Sequence, residues 1–129
     1  MQILNIPSTC NTPAVSFDPG GTLTIAGRSI TTKAWSFYKP LFDWIEEYMK
    51  DPAPETILNL DFELLHVDSL VKVMDICKIL SRLKKAGLRA EVYWYCEKED
   101  EDMKDMAAMA SELLKSIDVK EVIVETGAV

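Results

Sequence analysis

The sequence predicts an α/β fold, a single domain in which a mixed β-sheet is packed with helices. Three observations predict it. A hairpin pattern stands near the start, amphipathic helical stretches alternate with apolar strand-like runs after it, and no linker divides residues 1–129. With 129 residues, 48% of them apolar, the chain can bury a core about two layers thick.

Each element has its own signal. "QILNI" adds an edge strand or stays loosely attached. In "AVSFDPGGTLTIAG", two alternating runs at 14–18 and 22–26 flank Pro19-Gly20-Gly21, a turn with glycines available for positive φ. "TTKAWSFYKPLFDWIEEYMKD" reads as a helix capped by Thr31 or Thr32. Tyr38, Leu41, Phe42, Ile45, Tyr48 and Met49 form its buried stripe, Pro40 is expected to kink it, and "DPAP" stops it.

"ETILNLDFELL" is an apolar strand of the buried kind. The second helix is predicted from about Ser69 to Lys85, with Leu70, Val73, Cys77 and Leu80 inward and Gly87 ending it in the αL conformation. "LRAEVYWYC" is a strand with Val92, Trp94 and Cys96 on one side and Tyr93 and Tyr95 on the other. An acidic run leads into a third helix, whose Met103, Met106, Met109 and Leu113 are expected to pack on the sheet. "KEVIVE" is the last strand.

Composition narrows the function. Fourteen basic against 21 acidic residues give a net charge of −7, which disfavours nucleic acid and anionic membranes as partners. "MQILNIPSTC" has no signal-peptide pattern, and no apolar run approaches the roughly 20 residues of a membrane span. A cytoplasmic protein is expected. Cys10, Cys77 and Cys96 are odd in number and lack Cys-x-x-Cys spacing, and His66 is the single histidine. No disulfide framework, metal site or cofactor is predicted.

The sharpest candidate is "HVDS", His66, Val67, Asp68 and Ser69. A hydrolase triad fails because its members converge from separate elements, and there is no Gly-x-Ser-x-Gly elbow. No catalytic residue is assigned. Asp68 or Ser69 is expected to cap the second helix, where a phosphate would also meet free N–H groups and the positive end of the helix dipole. "GRSI" at 27–30 reads as a strand-to-helix turn rather than a phosphate loop. Phe37 and Trp44, beside the first helix's core stripe, are either core or a partly exposed partner-binding strip.

"TPAVSFDP", "GRSI", "FYKPLFDWIEEY", "LNLDFELL", "VMDICKIL" and "VYWYCEKEDEDM" together resemble the bacterial SiaC-like regulatory phosphoproteins over roughly residues 7–105. The resemblance implies a fold like the STAS domains of anti-sigma-factor antagonists. It implies a non-enzymatic partner-switching module: a protein kinase phosphorylates a hydroxyl at the start of a helix, a PP2C-type phosphatase removes the phosphate, and one form binds a signalling target such as a diguanylate cyclase. In ungapped register, Val67 stands where the family carries its phosphoacceptor Thr. Ser69 is then the phosphorylation candidate, or the switch is lost and the chain is a constitutive adaptor. Partner contacts are expected around the start of the second helix and the nearby edge of the first, with Phe37, Trp44 and Asp68 as candidates.

Overall fold

A computed structural model describes residues 1–125. The strands are β1 (Leu4–Ile6), β2 (Ala14–Phe17), β3 (Thr22–Ser29), β4 (Glu55–Leu65), β5 (Arg89–Glu97) and β6 (Asp118–Val124), and the helices are α1 (Ala34–Tyr48), α2 (Val67–Lys85) and α3 (Glu101–Leu113). The six strands lie side by side in chain order. β1, β2 and β3 pair antiparallel, whereas β3 through β6 run parallel, each pair joined by a helix. This is the mixed α/β sheet that the alternating pattern predicts.

Parallel neighbours joined by right-handed crossovers, always stepping the same way across the sheet, put all three helices on one face. Burial agrees. Val15 and Phe17, Leu23 and Ile25, Leu58 and Leu60, and Val92 and Trp94 alternate inward and are all 2% exposed or less. Their sequence neighbours line the other face, which no helix covers. The core residues of α1 are Ala34, Tyr38, Leu41, Ile45 and Tyr48, one stripe at helical spacing.

Two chain reversals carry the geometry. Gly21 closes the β2–β3 turn at φ +114°, and a Cβ there would fall on the Glu55 carbonyl oxygen. Its own carbonyl accepts from the Ile57 N–H at 2.8 Å, so the turn is also stitched to the start of β4. Gly87, at φ +86°, ends α2 in the expected αL conformation. There the Leu88 N–H reaches the Leu83 carbonyl and the Gly87 N–H the Lys84 carbonyl, the paired bonds of a Schellman cap.

Several expectations are corrected. α1 starts at Ala34 and has no side-chain cap, because Thr31 Oγ1 accepts instead from the Lys33 N–H at 3.0 Å, in a turn before the helix. It continues unbroken through Pro40. α3 buries Met103, Ala107 and Ala110, with Leu114 just beyond it, whereas Met109 and Leu113 are exposed. The stripe 103, 107, 110, 114 is what faces the sheet, and positions 109 and 113 lie rotated off it. "QILNI" is an edge strand, held on β2 through Leu4↔Phe17 and Ile6↔Val15. No helix among the described residues is long and apolar enough to cross a membrane.

Gly21→Ala is expected to destabilise the protein by about 2 kcal/mol or more, since it combines a positive φ with a backbone collision. Urea denaturation measures this. A change below about 0.5 kcal/mol would show that the turn relaxes without loss.

Candidate functional site

The site begins with a register shift. Gly27 of β3 pairs with Phe62 of β4, but the next residue, Arg28, pairs with Leu64, so Glu63 is an extra residue bulged out of β4. Gly27 accommodates the step at φ +117°. The bulge breaks the alternation: Glu63 and Leu64 are both exposed, and Leu65 turns inward. The Arg28 guanidinium holds Glu63 at 3.0 Å, which keeps that carboxyl below the usual carboxylate range.

β4 then delivers the chain to α2. The His66 N–H donates to the Ser29 carbonyl at 2.9 Å, an extension of the strand pairing. His66 stays extended (φ −79°, ψ 153°) and becomes the helix cap, its Nδ1 accepting from the Asp68 N–H at 3.3 Å. Neither Asp68 nor Ser69 is the cap, contrary to the sequence expectation. Both lie inside the first turn, because the strand bond at His66 fixes the helix start two residues earlier. Asp68 is exposed there, as an acidic residue near the positive end of the helix.

Ser69 points inward. With Val73, Ile76 and Leu80 it lies on the buried stripe of α2 and is 0% exposed. Its Oγ accepts from Ser29 Oγ at 2.8 Å, and Ser29 Oγ lies 2.8 Å from the phenol of Tyr38. Three buried hydroxyls thus join the end of β3, the second turn of α1 and the start of α2. Burial pushes the Tyr38 phenol up to about 12, so it remains a neutral donor at ordinary pH. A phosphate on Ser69 would enter this closed space. The helix-entrance argument for an anion holds for a side chain facing solvent, not for this one.

Beside the exposed Asp68, two valines face solvent. Val67 is 59% exposed and Val71, one turn on, 50%. Across from them Trp35 of α1 is 58% exposed, with the Lys72 ammonium 5.0 Å above its ring. A groove of about 310 Å³ runs between the two helix starts, lined by Thr32, Ala34, Trp35, Asp68, Val71 and Lys72. Asp68 is therefore part of this surface.

The other two predicted contacts are not. Trp44 stacks on Tyr48 at 5.2 Å and tilts against Phe17 at 5.3 Å, while its Nε1–H donates to the Gln2 carbonyl at 2.9 Å. It fastens the first residues to α1, and nine residues of helix place it roughly 14 Å along the axis from Trp35. Phe37 is partly buried and packs edge-on against Tyr38 at 5.1 Å.

Sequence reasoning missed Trp35 and Val71. The usable signal was that each is a large apolar residue one step off its helix's core stripe. The described residues contain no group of three or more His, Cys, Asp or Glu side chains that could hold a metal ion.

Comparison with known proteins locates this architecture. The family model described as SiaC family regulatory phosphoprotein matches residues 6–124, nearly the whole chain. The chain belongs to the SiaC family. It is 27% identical over 108 residues to an uncharacterized protein of Pseudomonas aeruginosa (strain UCBPP-PA14), covering 83% of this chain and 86% of that one. The fold matches apo-SiaC from P. aeruginosa with a TM-score of 0.83 at 24% identity, covering 94% of this chain and 98% of the other. It also matches the structure of the diguanylate cyclase SiaD in complex with its activator SiaC from P. aeruginosa. There the TM-score is 0.85 at 24% identity, over 94% of this chain and 99% of the matched chain. Within this SiaC-family fold, the "HVDS" stretch divides into an outward pair, Val67 and Asp68, and an inward Ser69.

Ser69→Glu is expected to cost about 3 kcal/mol or more, the scale of an uncompensated buried charge. Tyr38→Phe should cost about 1 kcal/mol by removing one buried hydrogen bond. The Tyr38 phenol titrates near 10 when exposed and near 12 here, so its contribution is intact below pH 10 and is lost as pH rises toward 12. Chemical denaturation of parent and Tyr38→Phe between pH 8 and about 12 should show their stability difference narrowing. A Ser69→Glu variant as stable as the parent would refute the closed site.

Proposed function

We propose that this protein is a non-enzymatic regulator that binds a signalling partner, a diguanylate cyclase, through the groove between the starts of α1 and α2. The carrying observation is the exposed Trp35, Val67 and Val71 surface, apolar on a protein of net charge −7. An aromatic ring with a cation above it, beside two valines, has the composition of an interface centre. Family membership and the activator role stated for SiaC in the SiaD complex support the same reading.

The geometry favours a binder whose first α2 turn carries no switch in the folded state. Val67, exposed at the position where the resemblance puts the phosphoacceptor, has no hydroxyl. Ser69 has one, but it is buried and accepts from the Ser29 hydroxyl at the end of the hydroxyl trio. Modification of Ser69 by a kinase, and its reversal by a PP2C-type phosphatase, would require the first turn of α2 to open.

Two measurements test this. Trp35→Ala and Val71→Asp should each weaken capture of the host's diguanylate cyclase at least tenfold, about 1.4 kcal/mol, with Tm nearly unchanged because both side chains are exposed. Unaltered binding by both would place the interface elsewhere. Intact mass of protein isolated from its host, before and after phosphatase treatment, should show one unmodified species. A phosphoryl group mapped to Ser69 would establish the switched reading instead.

A further inference from the structure

The face of the sheet turned away from the helices has a relief of its own. On β2 and β3 it carries small side chains, Ala14 paired with Ala26 and Ser16 with Thr24. On β4 and β5 it carries larger ones, including Asn59 beside Tyr93, whose neighbour Tyr95 sends its hydroxyl to Asn59 Oδ1 at 3.3 Å. The step between the two halves forms a trough along β3. One cavity of about 370 Å³ lies over the small residues. A second, of about 340 Å³, continues past Gly27 to the carboxyl ends of β4 and β5, and Ala26 lines both.

The two ends differ in chemistry. The first is lined on this face by Asn5, Pro7, Ala14, Ser16, Thr24 and Ala26, a floor of small side chains. The second is lined by four carboxylates, Asp61, Glu63, Glu97 and Asp100. Glu63 is engaged by Arg28, and Asp100 caps α3 by accepting from the Met103 N–H at 3.1 Å. Asp61 and Glu97 form no ion pair among the described residues. Two carboxylates without an ion pair at the end of this channel of small side chains raise a local negative potential that a cation relieves. The described residues hold no group of three or more such side chains placed for a metal ion, which leaves a cationic side chain as the occupant to consider.

We propose that this trough is a second docking surface, for a segment of a protein partner that lays small apolar side chains over β2 and β3 and ends with Arg or Lys between Asp61 and Glu97. Charge complementarity selects this occupant: an acidic end calls for a basic one, and Arg enters such forks bidentately. The surface lies across the sheet from the Trp35–Val71 groove, so both are open to partners at once.

The test uses the full chain, ¹⁵N-labelled, and two synthetic peptides of alternating Val and Ser, one ending in two Arg and its twin in two Glu. The Arg peptide should produce saturable NMR shifts at Ala26, Asp61 and Glu97, leave Trp35 and Val71 unmoved, and weaken with added salt. Asp61→Lys combined with Glu97→Lys should reduce its affinity at least tenfold with Tm and cyclase capture unchanged. Four results would overturn the proposal: no saturable shift, equal response to the Glu twin, shifts confined to Trp35 and Val71, or self-association of the peptide-free protein through the trough. Because the trough variants keep Trp35 and Val71 intact, failure here is separable from failure of the helix-start groove.

Discussion

The chain of buried hydroxyls from Tyr38 through Ser29 to Ser69 fixes how the two helices that flank the Trp35–Val71 groove meet the sheet. Each link is short, 2.8 Å, and all three residues are fully buried. Buried hydroxyls cost about 1–3 kcal/mol each when left unpaired, so the three constrain one another more than their net stabilisation suggests. The phenol comes from the second turn of α1, one hydroxyl from the last residue of β3, and one from the first turn of α2. A shift of α2 along the sheet would break the chain, and so would a shift of α1. The Trp35–Val71 groove inherits its width from this constraint, since its two walls are the solvent sides of the same two helix starts.

The position of the groove follows from the topology. Three parallel crossovers in one direction place the starts of α1, α2 and α3 along one rim, at the carboxyl ends of the strands, where open α/β sheets present ligand-facing loops. Along that rim the sequence distributes different chemistry. α3 begins with a carboxylate cap and further acids, α2 with a histidine cap and Asp68, and α1 with no side-chain cap and no acid in its first turn. The acidic end of the sheet trough and the apolar groove therefore occupy neighbouring parts of one rim, on opposite sides of the sheet.

Much of the fold was legible because it rests on local periodicity. The α1 stripe, the β2–β3 hairpin, the alternation of β5 and the αL glycine at 87 each declare themselves within a dozen residues. What stayed hidden depends on contacts between distant residues. Nothing near Glu63 announces that β4 carries one residue more than β3 across from it, and that bulge is what exposes Leu64 and turns Leu65 inward. The cap moved from Asp68 or Ser69 to His66 because a backbone bond to Ser29 sets where the strand ends. Trp44 read as either core or a partly exposed strip, and what decides between them is a bond to a carbonyl 42 residues away. The burial of Ser69 was half visible: it stands four residues before Val73 on the core stripe, a spacing outweighed by the polarity of a serine in "HVDS".

The "HVDS" stretch shows how a polar-looking sequence is sorted by the helix it opens. At 100° per residue, positions 67 and 69 point to nearly opposite sides, so a hydroxyl at 69 and a side chain at 67 have different fates whatever their chemistry. At 69 the small, hydrogen-bonding serine fits a closed space beside Ser29. At 67 solvent exposure would accept a threonine and, on it, a phosphate. Valine differs from threonine there by one methyl in place of the hydroxyl, so shape is kept while the capacity for modification is removed. It also extends the apolar surface of Val71 by one turn. On the proposed reading this position is a permanent part of the contact, which leaves regulation to opening of the Ser69 turn, to abundance, to the partner, or to a second surface. The acidic trough across the sheet is the feature best placed to supply the last of these.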